Sequence, residues 1–365
     1  MGNLVFVAGA RPNFMKIAPI LRALADRGNP VPATLIHTGQ HYDAAMSDVF
    51  FRQLGIREPD VLLEVGSGTH GAQTAKIMIS FEDYLMSLDD PPSGIVVVGD
   101  VNSTMACALV ATKLHIPVAH VEAGLRSFDR GMPEEINRVV TDAIADLLLV
   151  SEPAGIANLK AEGVADAKVR YVGNVMIDTL VHQLEEARKL APLDTPSELA
   201  VITMHRPSNV DSPERLGAVV EFLKKVGERL AVIFPVHPRT DKNLRAFGLR
   251  DELAGAKGLH LLEPLGSRDN LNLMDRARLV ISDSGGLQDE TTYLGVPCVT
   301  IRPNTERPVT VTSGTNTVTE DLDVAWKAVS DILDGTYKKG TPIDGWDGRA
   351  AERVVDALLQ AWGPR

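Results

Sequence analysis

The chain has 365 residues, a formal net charge of −11 at pH 7, 44% hydrophobic residues and 5% aromatic residues. This length predicts about two domains, and the acidic balance argues against nonspecific nucleic-acid binding and against a basic membrane-binding patch. Cys107 and Cys298 lie in separate apolar segments without a CxxC partner, which argues against a zinc site or a disulfide scaffold. The N-terminal sequence lacks a signal-peptide pattern, and no apolar run is long enough to span a bilayer, so we expect a soluble, cytoplasmic protein.

Short runs rich in Val, Ile and Leu alternate with helical patterns along the chain. In the first half the runs are "LVFVAG", "PATLIHTG", "GIVVVGD", "IPVAHVEAG", "LLLVSE" and "VRYVGN". After the charged helical stretch 180–198 they are "LAVITMH", "LAVIFPVH", "LHLLEP", "RLVISDSGG" and "VPCVTIR". Continuous apolar strands that alternate with helices indicate parallel sheets covered by helices on both faces.

The sequence therefore predicts an α/β protein with two Rossmann-like, doubly wound parallel-sheet domains that face a central cleft. We assign the first domain to residues 1–178 and the second to residues 179–345. A final helix in residues 346–365 has an apolar face that fits either domain, and we expect it to pack back on the N-terminal domain.

Polar residues at the predicted strand ends form the candidate site, because ligands of open parallel sheets bind beyond the carboxyl ends of the strands. They come from both predicted domains, which indicates one cleft lined from both sides. These residues are Arg11, Lys16, Gln40, His41, Asp100, Glu122, His205, His237 and the run from Ser284 to Gly286.

The first strand ends in "GARPNFMK" at residues 9–16. Arg11 and Lys16 lie on either side of a helix start that Pro12 marks. Two cations in this position are suited to binding a diphosphate. The alternative is a capped helix whose charges are solvated.

A second anion-binding pattern, "SDSGGLQDET" at residues 282–291, follows a buried strand and opens a helix. Gly285 and Gly286 allow close approach of a phosphate to the backbone, and the helix N-terminus favours an anion there. Ser284 adds a hydroxyl donor, and Glu290 is placed to accept hydrogen bonds from ribose hydroxyls. The alternative is an ordinary N-cap with a glycine turn.

Two further strand ends carry candidate catalytic groups. In "TMHRPSN", His205 is either a phosphate donor or proton-transfer group, or a structural histidine. In "GDVNST", Asp100 is either catalytic or the N-cap of the helix that follows.

The passage "HVEAGLRSFDRGMPEEINR" at residues 120–138 combines four acids with three arginines. An apolar strand delivers Glu122, and Glu134 and Glu135 follow Pro133. A surface loop would use these charges for solubility, whereas an active site would use them to move protons beside an anionic substrate.

Other motifs are less informative. "VGSGTHG" at residues 65–71 matches GxGxxG, but it lies outside the first βαβ unit, and we expect a mobile loop beside the cleft there rather than a dinucleotide site. The sequence shows no P-loop, GxSxG elbow or metal-spaced His/Glu cluster, so we expect no metal and no cofactor.

As a set, these motifs resemble the UDP-N-acetylglucosamine 2-epimerase family, a relative of the GT-B glycosyltransferases. The matching stretches run nearly the whole length in family order, and they are "GARPNFMKIAPI", "HTGQHYD", "GDVNST", "HVEAGLRS", "MPEEINR", "VGNVMIDTL", "MHRPSN", "VHPRT" and "SDSGGLQDETTYLGVPCVTIRPNTERP". The resemblance implies a GT-B-like fold and reversible inversion at C2 of a UDP-N-acetylhexosamine, from UDP-GlcNAc to UDP-ManNAc, by elimination and re-addition of UDP. We also expect a homodimer that acts in polysaccharide biosynthesis.

The resemblance implies roles for the residues of this chain that match the family motifs. Together with the residues at the predicted strand ends, they make up the expected site. The expected catalytic residues are Asp100, Glu122, Glu134 and His205. Which carboxylate removes the C2 proton and which returns it stays open. Gln40 and His41 are candidates for contacting the sugar or a second site. The expected substrate-binding residues are Arg11, Lys16, Arg138, His237, Ser284, Gly285, Gly286, Glu290 and Arg307.

The sequence departs from the family pattern at several positions. The common "GTRPE" reads "GARPN", so Asn13 replaces an acid, and "HRREN" reads "HRPSN". Asp43 and Ala72 stand where many bacterial members bind an activating second UDP-sugar through Gln and Arg, so we expect weak or absent activation. The alternatives are a hydrolysing epimerase that releases UDP and free ManNAc, a GT-B glycosyltransferase and a noncatalytic nucleotide-sugar binding protein.

Overall fold

The computed structural model describes residues 2–39, 51 and 54–363. The chain divides into two compact units. The N-terminal unit comprises Met1–Thr179 and Asp344–Arg365, and the C-terminal unit comprises Leu180–Ile343.

The N-terminal unit alternates strands and helices. Its elements are β1 (Leu4–Ala8), α1 (Arg11–Asp26), β2 (Ala33–His37), β3 (Val61–Leu62), α2 (His70–Met86), β4 (Gly94–Val98), α3 (Asn102–Lys113), β5 (Val118–Ala123), α4 (Pro133–Ile144), β6 (Leu147–Val150), α5 (Pro153–Ala161), a 3₁₀ turn (Asp166–Lys168), β7 (Val169–Tyr171) and α6 (Val175–Lys189), which continues into the C-terminal unit.

The C-terminal unit repeats this alternation. Its elements are β8 (Leu199–Thr203), α7 (Pro207–Val210), α8 (Pro213–Gly227), β9 (Ala231–Pro235), α9 (Pro238–Ala246), α10 (Arg250–Gly255), β10 (Leu259–Leu262), α11 (Ser267–Arg276), β11 (Leu279–Ser282), α12 (Gly286–Leu294), β12 (Cys298–Ile301), α13 (Pro308–Thr312), β13 (Asn316–Thr319) and α14 (Leu322–Leu333). The final helix, α15 (Ala350–Trp362), belongs to the N-terminal unit.

Both sheets are parallel, as the continuous apolar runs predict. The N-terminal sheet has the strand order β3-β2-β1-β4-β5-β6-β7. The C-terminal sheet has the order β10-β9-β8-β11-β12-β13. In the N-terminal sheet, β2 and β3 lie on one side of β1, and β4 to β7 lie on the other side. In the C-terminal sheet, β9 and β10 lie on one side of β8, and β11 to β13 lie on the other side. The strand order therefore reverses direction beside β1 and beside β8. Such a reversal is the usual position of a ligand site in an open parallel sheet.

Helices cover both faces of the N-terminal sheet. On one face, Phe14 and Ile17 of α1 belong to the same buried cluster as Val354 and Leu358 of α15. On the other face, α2 and α3 contribute a second cluster that includes Phe81. The strands are apolar along their length because both of their faces are buried in this way.

Helix α15 is held to the N-terminal unit by a capping carboxylate as well as by packing. Asp178 of α6 accepts hydrogen bonds from the backbone N–H groups of Ala350 at 3.1 Å and Ala351 at 2.7 Å. Burial raises the pKa of Asp178 to about 6, although these two hydrogen bonds act to lower it. The chain thus returns to its first unit at a defined helix N-terminus.

Helices of the described ranges are all too short or too polar to cross a membrane.

Candidate active site

A buried ion pair lies at the carboxyl end of the N-terminal sheet. Lys16, in the second turn of α1, is 8% exposed and donates its Nζ to Oε2 of Glu122, which is 7% exposed. Glu122 lies near the end of β5 in the left-handed region, with φ of 73°. A residue other than glycine held in this region costs on the order of 1–3 kcal/mol, a strain that concentrates at functional sites.

A glycine gives this pair its room. Gly99 follows β4 with φ of 66°, and a Cβ atom placed there would lie 2.8 Å from Lys16 Nζ and 3.4 Å from Glu122 Oε2. Any side chain at residue 99 would therefore disturb the ion pair and strain the backbone.

Asn13 takes over the position where the family pattern has an acid. Its Oδ1 accepts from the backbone N–H groups of Gly9 at 3.0 Å and Ala10 at 2.9 Å, as a carboxylate would. Its Nδ2 donates to the carbonyl of Val98 at 3.0 Å, which a carboxylate cannot do. The amide therefore keeps the turn before α1 and ties it to β4.

Asp100 pairs with Arg138 and does not cap the following helix. The N-cap of α3 is Val101, without a side-chain hydrogen bond. The carboxylate of Asp100, whose side chain is 32% exposed, accepts from Nη2 of Arg138. Nη1 of the buried Arg138 donates to Glu135 Oε2 at 2.8 Å, so one guanidinium orients carboxylates from two segments.

The adjacent acids Glu134 and Glu135 have different environments. Glu135 is buried and accepts from the backbone N–H groups of Ser127 and Phe128, both at 2.9 Å, and from the Ser127 hydroxyl at 3.0 Å. It anchors the loop before α4. Glu134 is half-buried, and it has no hydrogen bond or ion pair with any residue that the structure describes.

A charged network missed by the sequence analysis lies beneath these residues. His120 Nδ1 is 2.6 Å from Asp142 Oδ1, and His120 Nε2 is 2.8 Å from the carbonyl oxygen of Gly99. Arg126 donates to Asp142 and to Glu162, each at 2.7 Å. Burial acts to raise the pKa of Asp142, but the interactions with His120 and Arg126 outweigh burial and lower the pKa below its usual value. Part of the charge in the 120–138 passage is therefore structural.

The remaining N-terminal candidates are exposed or lie outside the described residues. Arg11 is exposed at the start of α1, and Ala72 is exposed on α2. The GxGxxG match follows β3, a two-residue edge strand, so it does not have the central-strand position of a dinucleotide site. Gln40, His41 and Asp43 lie outside the described residues.

In the C-terminal unit, a buried aspartate organises the turn that carries His205. Asp283, 0% exposed, follows β11 and accepts from the backbone N–H groups of His205 at 3.0 Å and Arg206 at 2.8 Å. Asn209 Nδ2 donates to the same carboxylate at 3.2 Å. His205 Nδ1 is also 3.2 Å from Asp283, which orients an imidazole that stays 41% exposed. The motif "SDSGG" contains this aspartate, but its hydrogen-bond partners could not be predicted from the sequence.

His205 and His237 are neighbours, with ring centroids 5.3 Å apart. His237 is the N-cap of α9, where its Nδ1 accepts from the backbone N–H of Arg239 at 3.2 Å. Burial, followed by the charge of His205, lowers the pKa of His237. The neutral ring suits the capping hydrogen bond.

The glycine turn before α12 leaves the start of the helix without a side-chain cap. Gly285 is the N-cap of α12, and a Cβ atom at Gly286 would meet nothing within 4 Å. The backbone N–H of Ser284 donates to the Ser282 hydroxyl at 2.9 Å. This turn contact therefore uses the backbone of Ser284 and not its hydroxyl. Such a helix start, with small residues and free N–H groups, is suited to an anion.

Two further candidates flank this helix start. Burial, followed by the charge of Asp289, raises the pKa of Glu290 to about 7. Arg307 donates its Nε to Asp289 at 2.8 Å, and its Nη1 lies 3.4 Å from the position of a Cβ atom at Gly285. The structure thus brings Arg307 to the glycine turn that the sequence singled out.

Within the described part of the chain, no group of three or more His, Cys, Asp or Glu side chains is arranged to hold a metal ion.

Comparisons with known proteins concern the chain as a whole. A family model described as UDP-N-acetylglucosamine 2-epimerase matches residues 23–359. The chain is similar to a UDP-N-acetylglucosamine 2-epimerase of Methanocaldococcus jannaschii, with 42% identity covering 98% of each chain. It is also similar to a UDP-2,3-diacetamido-2,3-dideoxy-D-glucuronate 2-epimerase of Pseudomonas aeruginosa, with 38% identity covering 98% of this chain and 99% of that one.

The fold agrees with a solved structure. The crystal structure of Methanocaldococcus jannaschii UDP-GlcNAc 2-epimerase in complex with UDP-GlcNAc and UDP has a TM-score of 0.86 and 41% identity, over 98% of this chain and 99% of that chain. The predicted fold class and the prediction of an epimerase are therefore confirmed. The chain belongs to the UDP-N-acetylglucosamine 2-epimerase family.

Proposed function

We propose that the chain interconverts UDP-GlcNAc and UDP-ManNAc by eliminating UDP and adding it back, without net hydrolysis. The observation that carries this proposal is the set of oriented carboxylates at the carboxyl end of the N-terminal sheet. Glu122 is held by Lys16 and Asp100 by Arg138, while Glu134 has no partner in the described chain.

The chemistry explains why several carboxylates are needed. The C2 proton of a hexosamine is not next to a carbonyl, so it is weakly acidic and must be removed while UDP leaves C1. Inversion then requires a proton to return to the opposite face of the sugar. Carboxylates on two faces of the sugar can act as base and acid in turn. We assign this work to Asp100, Glu122 and Glu134.

The nucleotide part of the substrate is assigned to the C-terminal unit. The start of α12, with Ser284, Gly285 and Gly286, would bind the diphosphate, and Glu290 would accept from ribose hydroxyls. His205, oriented by Asp283, would donate to the departing phosphate and stabilise its developing charge. The relative crystallised with UDP-GlcNAc and UDP supports a UDP-sugar as the substrate.

The relative from Pseudomonas aeruginosa makes a second sugar a specific candidate. It is named for a UDP-diacetamido-glucuronate and shares 38% identity with this chain, against 42% for the UDP-GlcNAc enzyme. Both substrates carry the same C2 position next to a UDP leaving group, so the proposed carboxylate chemistry applies to either. Parallel assays with both sugars decide between them.

The test is NMR of UDP-GlcNAc with the protein in heavy water. We expect UDP-ManNAc to appear with deuterium at C2, and deuterium also to enter the remaining UDP-GlcNAc. Accumulation of UDP and free ManNAc would instead identify a hydrolysing epimerase. Tight binding without exchange would identify a noncatalytic binding protein, and sugar transfer to an acceptor without C2 exchange would identify a glycosyltransferase.

We also propose that the enzyme is a cytoplasmic homodimer that requires neither metal nor cofactor. The support for this is the family resemblance. Light scattering of the purified chain tests the dimer, and activity after exhaustive treatment with a chelator tests the metal requirement.

A further inference from the structure

Arg302 is a buried guanidinium with unused donors. It directly follows β12 and is 2% exposed. Its Nη2 donates to Glu306 Oε2 at 3.1 Å. Its Nε and Nη1 are buried and have no hydrogen-bond partner among the residues that the structure describes. Buried donors without an acceptor cost free energy, so this side chain is suited to an additional anionic partner.

One of the unused donors of Arg302, Nη1, lies beside the start of α12. A Cβ atom at Gly285 would lie 3.5 Å from Arg302 Nη1 and 3.4 Å from Arg307 Nη1. Gly285 is the N-cap of α12, and no side chain caps this helix. Two guanidinium groups and a helix N-terminus therefore converge where the glycine leaves space, and all three favour an anion.

The structure already has one anion in this place. Glu306 is 7% exposed and accepts from Nη2 of Arg302 and from Nη1 of Arg307. Its Oε1 lies 3.0 Å from the position of a Cβ atom at Gly285. Burial lowers the pKa of Arg302, Glu306 raises it, and the charges of Arg206 and Arg307 lower it further. The Glu306 carboxylate is therefore the negative charge that balances a concentrated group of arginines.

We propose that Arg302 is a further binding residue for the diphosphate and that Glu306 is an internal counter-anion which competes with the diphosphate for Arg302 and Arg307. This inference rests on the proposed function, because it takes the start of α12 as the diphosphate site. In the free protein the carboxylate neutralises the arginines. In the complex the diphosphate replaces part of the contact between Glu306 and the arginines. The measured affinity for the diphosphate therefore equals the free energy of its own arginine contacts minus that of the Glu306 contacts it replaces.

The two variants Glu306→Gln and Arg302→Gln test this proposal by calorimetric titration with UDP, inorganic pyrophosphate and uridine. Glu306→Gln removes the competing charge and keeps the shape, so we expect UDP and pyrophosphate to bind at least about tenfold more tightly. Arg302→Gln should weaken both by about tenfold to a hundredfold. Uridine lacks phosphate, so its affinity should not change in either variant.

Controls separate binding from folding. Arg245→Gln removes an exposed arginine that pairs with Asp241 on α9, and it should leave all three affinities unchanged. Thermal unfolding with and without pyrophosphate shows whether each variant is folded, because a ligand that binds the native state raises its melting temperature. If Arg302→Gln does not fold, Arg302→Lys keeps the charge, removes the fixed donors and should still weaken pyrophosphate binding.

The results distinguish this proposal from the one on which it rests. UDP affinity that falls or stays equal in Glu306→Gln would overturn the competition and leave Glu306 a positioning residue. Unchanged pyrophosphate affinity in the folded Arg302 variant would overturn its binding role. In both cases wild-type UDP binding keeps the proposed function intact. A wild-type chain that binds no UDP would overturn both proposals together.

Discussion

The ammonium group of Lys16 forms a buried ion pair with the carboxylate of Glu122, and it connects the first helix of the chain to the end of β5. Neither charge is accessible enough to be solvated alone. The pair therefore acts as a unit, and it fixes the direction of the carboxylate that we assign to proton transfer.

Removing one member of this pair should be more harmful than removing both. Lys16→Met leaves Glu122 buried without its cation, and breaking a buried pair in this way typically costs about 3–5 kcal/mol. The double variant Lys16→Met/Glu122→Gln should recover much of that stability and remain inactive. Urea unfolding of the three proteins measures the difference. A single variant as stable as the wild type would show that Glu122 is solvated or neutral in solution.

The proposed catalytic carboxylates should affect turnover without affecting UDP binding. Asp100→Asn, Glu122→Gln and Glu134→Gln should each lower kcat by about 100- to 10,000-fold, the usual contribution of general acid–base groups. Their UDP affinity should stay close to the wild-type value, because the effect lies in the transition state. C2 deuterium exchange and UDP titration on the same samples check this. Exchange near the wild-type rate in all three would end the proton-transfer assignment.

Glu135→Gln is the matched control for Glu134→Gln, because the two acids are adjacent on α4. Turnover of the folded Glu135 variant should fall far less. Its carboxylate accepts from the loop at Ser127 and Phe128, so the loss should appear instead as about 1–3 kcal/mol of stability. A Glu135 variant that melts normally but does not exchange deuterium would reverse the roles that we give to the two residues.

Gly286→Val should block ligand binding without unfolding the protein. A Cβ atom at Gly286 meets nothing within 4 Å, so the free protein has room for the side chain. The same side chain would stand where a phosphate approaches the backbone, and UDP affinity should fall by at least about tenfold, or about 1.4 kcal/mol. Melting temperature and UDP titration are the two measurements. Normal UDP affinity would place the diphosphate elsewhere.

Glu290 predicts a pH dependence of stability. Its pKa in the folded chain is raised to about 7 from an ordinary value of 4.5, so the folded state retains a proton that the unfolded state has lost between these values. The free energy of unfolding should therefore fall as the pH rises through this window. Unfolding measured at about pH 4.5 and at about pH 8 should show this slope, and Glu290→Gln should reduce it.

The same residue predicts a pH dependence of binding with the opposite sign. Ribose hydroxyls donate to the ionised carboxylate, so the affinity for uridine should rise from about pH 6 to about pH 8. Glu290→Gln should weaken UDP and uridine alike and abolish this rise. Uridine is the better probe of the pH effect, because it lacks phosphate groups that titrate nearby. UDP affinity unchanged by the substitution would remove Glu290 from the ribose contact.

The sequence was most informative about the fold. Continuous apolar strands between helices predict parallel sheets because both faces of each strand are buried, and the two sheets have this form. The sequence also predicted which polar residues lie near one another, because the carboxyl ends of parallel strands lie at the same edge of a sheet. "GDVNST" and "HVEAG" lie at neighbouring strands, β4 and β5, for this reason.

Pairing between side chains could not be predicted from the sequence. His120 reads as one polar residue in an apolar strand, and its partner Asp142 lies 22 positions later on a helix. The choice between Glu134 and Glu135 depends on the rotation of α4, which the sequence leaves open. Arg302 gave one signal that was overlooked, since it is a cation directly after a buried strand. Its unused donors become visible only when burial and distance are known.

Helix α15 has a consequence for how the chain is made. The core of the N-terminal unit includes Val354 and Leu358, but residues 180–343 separate them from the rest of that unit in sequence. Synthesis proceeds at about 5–20 residues per second, and α15 is made only after the whole intervening unit. Until then the apolar face of α1 lacks the α15 side chains that cover it. The C-terminal unit is continuous in sequence and can finish folding first. The half of the protein that is translated first is therefore the half that is completed last.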